Sequence, residues 1–286
     1  MPVRPDAVVT PAWLAAHQRD ADVRLVHVTN TPADYAAGHL AGAVLAGGYA
    51  DFTEDRPQPP RGEVVRALVP LPATMHAALT RLGLHPDDDI VCYAPAKSPW
   101  PARAYWVLRY FGFTRVHIAD GALPLLAAAG CAVTTDASPP PATRPQFTLP
   151  APDRSILATV DDVLAVAQAE RDAIVLDCRT DDEWHGLDGG HAPQPRLGRI
   201  PRAQHLNWEL LVDDAGQLLP LPQLRSLYAA AGVDGTRPVY PYCGGGVRSA
   251  VSWLILHDLL GYDLAANYDG SWSEWAQRTD LPIETG

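Results

Sequence analysis

A chain of 286 residues, 47% hydrophobic and 19% charged, can form one large globular domain or two of ordinary size. No apolar run approaches the ~18 residues of a membrane-spanning helix, and a net charge of −11 argues against a nucleic-acid partner, which requires a basic face. The four cysteines, Cys92, Cys131, Cys178 and Cys243, are too few for a disulfide framework and contain no C-x-x-C pair. Met1 to Asp6 carry no basic-then-apolar signal pattern, so a reducing, cytoplasmic setting is expected.

In chain order, Arg24 to Val28 reads as the first strand, followed by Gly38-His39-Leu40-Ala41-Gly42-Ala43. Ile90 to Tyr93 reads as a strand, the loop Ala94 to Pro101 follows, and Ala102 to Phe111 reads as a helix. Ala137 to Pro145 is proline-rich and reads as an extended linker. Beyond it come a strand over Ala173 to Asp177, an amphipathic helix over Leu221 to Ala231 and a strand over Val239 to Tyr242. An apolar helix over Val247 to Leu260 and a strand over Leu264 to Tyr268 complete the series. Pro241 interrupts a strand that should be central, where it can donate no ladder bond.

The two halves echo each other. Asp89 to Tyr93 aligns with Pro238 to Tyr242, Gly112-Phe113 with Gly261-Tyr262, and Asp120-Gly121 with Asp269-Gly270, all at a spacing of 149. Gly38 to Ala43 matches Gly198 to Ala203 at a spacing of 160, so the second half carries an insertion around Leu187 to Leu197. Two copies of one unit imply two similar α/β domains, each a parallel sheet covered by helices on both faces. Residues 1–138 are assigned to the first, 139–153 to the linker and 154–286 to the second.

Cys243-Gly244-Gly245-Gly246-Val247-Arg248-Ser249 lies between a strand end and a helix start, where active sites of parallel sheets gather. Free backbone N–H groups converge there, and three glycines let the loop curl through positive φ so that they point inward. Such a nest, with the fixed charge of Arg248, lowers a thiol pKa and favours the nucleophilic thiolate. The same position in the first half is Ala94, in a loop with three prolines and no nucleophile, so the N-terminal copy reads as catalytically silent, with a structural role or as one wall of the substrate cleft. Cys92, inside an apolar strand, reads as core. No histidine pair has metal-site spacing, His185 and His191 included, and His257 reads as packed on its helix; no metal or cofactor is expected.

The Cys-x4-Arg loop in this context resembles that of the rhodanese family of sulfurtransferases. Cysteine phosphatases use a related cradle one residue longer, wide enough for phosphate. The resemblance covers nearly the whole chain and implies the tandem form, with the catalytic domain at the C-terminus. It implies a persulfide on Cys243, with Gly244, Gly245, Gly246, Val247, Ser249, Arg248 and Arg179 binding the substrate. It implies supporting roles for Asp177, from the Asp177-Cys178-Arg179 stretch, for Glu183 in the turn after it, and for Asp269 and Trp272, from the Asp269-Gly270-Ser271-Trp272 signature. Trp272 and Trp275 can equally be packing residues. The animal thiosulfate enzyme has arginine where Glu183 stands and basic residues within its loop. Arg248, Arg179, and Arg196 or Arg202 are therefore expected to supply the positive charge. The implied donor is a small anion, thiosulfate or 3-mercaptopyruvate, and the acceptor is cyanide, a small thiol or a thioredoxin-like protein. A sulfur carrier without turnover, and a cysteine-dependent phosphatase or arsenate reductase, stand as alternatives.

Overall fold

The computed structural model describes residues 3–57, 63–137, 146–190 and 193–285. The first half contains β1 (Val8–Val9), α1 (Pro11–His17), β2 (Val23–Val28), α2 (Pro32–Ala37), β3 (His39–Leu40), β4 (Val44–Ala46) and α3 (Gly48–Phe52). It continues through β5 (Glu54–Pro57), β6 (Val64–Leu68), α4 (Pro72–Leu82), β7 (Asp89–Tyr93), α5 (Trp100–Tyr110), β8 (Val116–Ala119), α6 (Leu123–Ala128) and β9 (Val133–Thr134). Its main sheet is parallel, in the order β1-β8-β7-β2-β4, with Val26 opposite Cys92. Ile90 to Tyr93 are buried without alternation, the pattern of a strand covered on both faces.

The second half contains β10 (Leu157–Ala158), α7 (Val160–Ala167), β11 (Ile174–Asp177), α8 (Asp181–Trp184), β12 (Gln204–His205) and α9 (Leu221–Ala230). Then come β13 (Val239–Tyr242), α10 (Ser249–Trp253), a π-helical stretch over Leu254–Leu259, β14 (Asn267–Tyr268) and α11 (Ser271–Trp275). β12-β11-β13 form one parallel sheet and β10-β14 another, joined by a bridge between Val239 and Ala265. Read across that bridge, the order β10-β14-β13-β11-β12 repeats that of the first half, as expected from two copies of one unit.

Pro241 causes the break. Ile174 N–H donates to Pro238 O and Cys178 N–H to Tyr242 O, so even-numbered residues of β13 face β11. Pro241 therefore points its missing donor at the β14 side, where only Val239 makes ladder bonds. The strand expected over Leu264 to Tyr268 accordingly shrinks to Asn267–Tyr268.

The helix expected over Val247 to Leu260 starts at Ser249 and widens to π geometry after Trp253. The widened turn carries buried Asp258, which accepts Tyr105 O–H and lies 3.6 Å from Arg109 Nε, both from α5. Its backbone oxygen accepts Arg4 N–H at 2.7 Å. A single apolar cluster runs from α5 (Ala104, Tyr105, Leu108) to Trp253, Leu254 and Ile255, so the two halves share a core. Of the expected linker, residues 139–145 lie outside the described residues. Residues 146–153 carry no helix or strand; there Phe147 packs on His76 and Asp153 N–H donates to Tyr110 O.

Candidate active site

Cys243 leaves the carboxyl end of β13 and is 1% exposed. Ser249, the first residue of α10, directs its hydroxyl at the sulfur at 3.6 Å. Burial alone would raise the thiol pKa. The charge of Arg248, the Ser249 N–H and hydroxyl, and the Gly245 N–H outweigh it, and the pKa falls below the ordinary thiol value.

The glycines act differently from one another. Only Gly246 has positive φ, at +71°, which corrects the expectation that all three curl that way. A Cβ there would lie 2.7 Å from Asp269 O and 3.0 Å from Arg103 Nη1. Gly244 and Gly245 are instead places of close approach, where a Cβ would sit 3.1 Å from Arg248 Nη2 and 3.3 Å from Ala67 Cβ. The amides do not all face the sulfur. Cys243 N–H and Gly246 N–H donate to Ser271 Oγ at 3.1 and 2.9 Å, and that hydroxyl donates to Tyr268 O at 2.8 Å. Val247, buried, leads from this knot into Arg248.

Arg248 is 7% exposed and forms a forked pair with Glu183, at 2.6 and 2.8 Å. Glu183 stands in the first turn of α8, where it also closes a capping box with Thr180. Burial pushes its carboxyl up, but Arg248 holds it below the usual range. Arg248 thus reaches the thiolate as a partly compensated charge.

Asp177 ends β11 and accepts from Arg179 backbone N–H and Nε at 2.9 Å each, from Arg179 Nη2 at 2.6 Å, and from Tyr242 O–H. Arg179 also donates to Gly198 O at 2.8 Å and lies 4.6 Å from the Trp272 ring, 1% exposed itself. Its guanidinium is turned into this packing, not towards the loop. Arg196 donates to the carbonyls of Trp275, Ala276, Arg278 and Leu281, and Arg202 lines a cleft with Ala173 and Arg237 at the far end of the sheet. Neither supplies positive charge to the loop. Trp272 is 1% exposed, with its indole N–H on Arg196 O, and Trp275 is fully buried; both pack. His257 pairs with Asp258 and stacks on Trp253; His191 lies outside the described residues. Cys92 is fully buried, its thiol pushed up to about 12.

The structural role expected of the first half falls to residues that the sequence did not single out. Arg103 of α5 is fully buried and donates to Gly246 O at 3.1 Å and Asp269 Oδ1 at 2.6 Å, and to Phe52 O and Ala67 O. Asp269 takes Val69 N–H on its other oxygen, at 2.6 Å. The active loop is thereby clamped from the N-terminal half. The signal available for Ser271 was its place in the Asp-Gly-Ser-Trp stretch; nothing local marks Arg103. The silent loop Ala94 to Pro101 borders a cavity of about 50 Å³ against Trp208 and Val251.

Residues 10–129 and 159–278 each match the family of rhodanese-like domains. The chain is 30% identical over 99% of its length, and 99% of the relative's, to a Mycobacterium leprae protein named "Putative thiosulfate sulfurtransferase". It is also 30% identical to the sulfur carrier protein TtuD of Thermus thermophilus, over 99% of this chain and 98% of that one. The anaerobic ergothioneine biosynthesis enzyme of Chlorobium limicola superposes with a TM-score of 0.83 at 22% identity, over 98% of this chain and 70% of that one, a likeness of fold.

Proposed function

The chain belongs to the rhodanese-like family of sulfurtransferases, and from that premise we propose that it moves a sulfane sulfur from thiosulfate to a thiophilic acceptor through a persulfide on Cys243. The observation that carries this reading is the Cys243 thiol at the start of a Cys-x4-Arg loop, buried with the Ser249 hydroxyl at 3.6 Å, where Arg248 and loop N–H groups favour the thiolate. The thiolate's electron pair forms a bond to the outer sulfur of thiosulfate. The sulfur–sulfur bond of the donor breaks, and its pair departs on sulfite. The persulfide anion left on Cys243 takes the place of the thiolate beside Gly245 N–H, Ser249 N–H and the Ser249 hydroxyl, which stabilise it. Cyanide, a small thiol or a thioredoxin-like protein then attacks the outer sulfur and returns the thiolate. Asp177, Arg179 and Tyr242 brace the wall behind the loop, and the Glu183–Arg248 pair fixes the cation.

Burial of Cys243 keeps bulk water and large electrophiles from the persulfide, which suits transfer to a small acceptor. The ranking of thiosulfate over 3-mercaptopyruvate follows the relatives' names and the double charge of thiosulfate. A second reading, a carrier that holds the sulfur for a protein partner, is favoured by the relative named a sulfur carrier. Steady-state kinetics with thiosulfate and cyanide test the proposal: parallel double-reciprocal lines are expected for two half-reactions, and Cys243→Ser abolishes them. Substantial turnover in that variant refutes the assignment, and a persulfide that forms without turnover selects the carrier.

A further inference from the structure

The loop around Cys243 contains no uncompensated cation: Arg248 is paired with Glu183 and Arg103 with Asp269. The chain as a whole is anionic, at −11, so a small anion must be drawn in locally. The neighbouring segment of the first half is built unusually. β5 and β6 pair antiparallel with a register shift between Glu54 and Arg56. Ala67, on the opposing strand, adopts φ +59°, a left-handed conformation that costs a non-glycine residue free energy. Bulges and such outliers re-aim side chains beside functional sites.

Here the effect is specific. Ala67 is buried against Gly245, its N–H donates to Asp55 Oδ1 at 2.8 Å and its carbonyl accepts from Arg103. Arg66 is exposed; its backbone oxygen lies 3.6 Å from where a Cβ on Gly245 would sit and accepts from Ser273 Oγ at 3.4 Å. Ser273 N–H in turn donates to Gly244 O, so Arg66 is anchored one residue from the active loop. Its guanidinium makes no hydrogen bond or ion pair among the described residues and lines a cleft of about 470 Å³ with Asp55, Pro193, Pro195 and Gln277.

We propose that Arg66 of the N-terminal half forms an anion subsite beside the active loop, which receives the charged end of a small anionic donor while its sulfur meets Cys243. This assigns donor specificity to the half without a nucleophile, and it rests on the sulfur-transfer reading above. Asp55 in the same cleft is turned to the Ala67 amide, which leaves Arg66 as the recognising charge.

Alkylation of Cys243 tests the subsite without requiring sulfur transfer. Iodoacetate and iodoacetamide carry out the same substitution, and only the first is an anion. Rates at Cys243 are read by peptide mass spectrometry for the wild type, Arg66→Ala and Arg66→Lys. The iodoacetate-to-iodoacetamide ratio should fall about 5–10-fold in Arg66→Ala, as the loss of one partly screened charge requires, and should stay within about 2-fold in Arg66→Lys. kcat/KM for thiosulfate should fall by a similar factor, while discharge of preformed persulfide to neutral dithiothreitol holds its rate. An unchanged ratio, or failure of both reagents to reach Cys243, overturns the subsite. A fall in the ratio in a protein that shows no Cys243-dependent sulfur transfer upholds the subsite and rejects sulfur transfer instead.

Discussion

Ser271 Oγ accepts two amides of the active loop and is itself fixed on Tyr268 O. Ser271→Ala leaves Cys243 N–H and Gly246 N–H buried and unpaired, at a cost of roughly 1–3 kcal/mol. A drop of that size in unfolding free energy, together with an about tenfold loss in kcat/KM, is expected from denaturant titration and steady-state rates. Unchanged values of both would remove Ser271 from the account. The Glu183–Arg248 pair gives a prediction of sign. Glu183→Gln removes the negative charge that offsets Arg248, so the guanidinium acts more strongly on the thiolate. The pH profile of Cys243 alkylation should then move to lower pH, while stability drops by up to about 3 kcal/mol as the buried pair is broken. A profile that stays in place or moves upward contradicts the role of Arg248 as the charge that holds the thiol down.

Among the loop elements, Gly246 carries the strictest requirement. Its φ of +71° and the 2.7 Å approach of Asp269 O leave no space for a side chain. Gly246→Ala should cost about 2 kcal/mol or more, more than Gly245→Ala, whose φ is not positive and whose tightest approach, 3.3 Å to Ala67 Cβ, needs a shift of only a few tenths of an ångström. Thermal melts of the two variants give the order, and equal effects would deny the clamp around Gly246. Elements with local signals were legible in the sequence: β13 has the bounds Val239–Tyr242 that were expected, and the Cys-x4-Arg loop stands where strand passes to helix. Elements whose form depends on distant partners were not. The π turn carries Asp258 to Tyr105 of the other half, and the short β14 reflects which edge of β13 Pro241 faces. The Arg103–Asp269 clamp joins residues 166 apart, and no periodicity or spacing encodes it.

For the whole molecule, the apolar cluster that passes from α5 to α10 makes separate folding of the halves costly. Calorimetry of the full chain should give one cooperative transition, and residues 154–286 alone should be markedly less stable; two resolved transitions would contradict a common core. Acid sensitivity has a distinct origin. His27 is 2% exposed, neither ring nitrogen has a partner, and burial, reinforced by His39, lowers its pKa from 6.5 to about 4. Because the folded pKa is depressed, the unfolded state binds the proton first. His27 therefore costs nothing above pH 6.5, and stability is lost as pH falls through the interval down to about 4. The full loss is roughly 3 kcal/mol, and His27→Phe should flatten that part of the stability–pH curve.

The central claim, that Cys243 accepts a sulfur atom and gives it up, is tested most directly by intact mass after incubation with thiosulfate. A gain of about 32 Da that disappears on addition of cyanide is predicted for the wild type, and no gain for Cys243→Ala. A gain that persists in the variant, or no gain in the wild type, contradicts it.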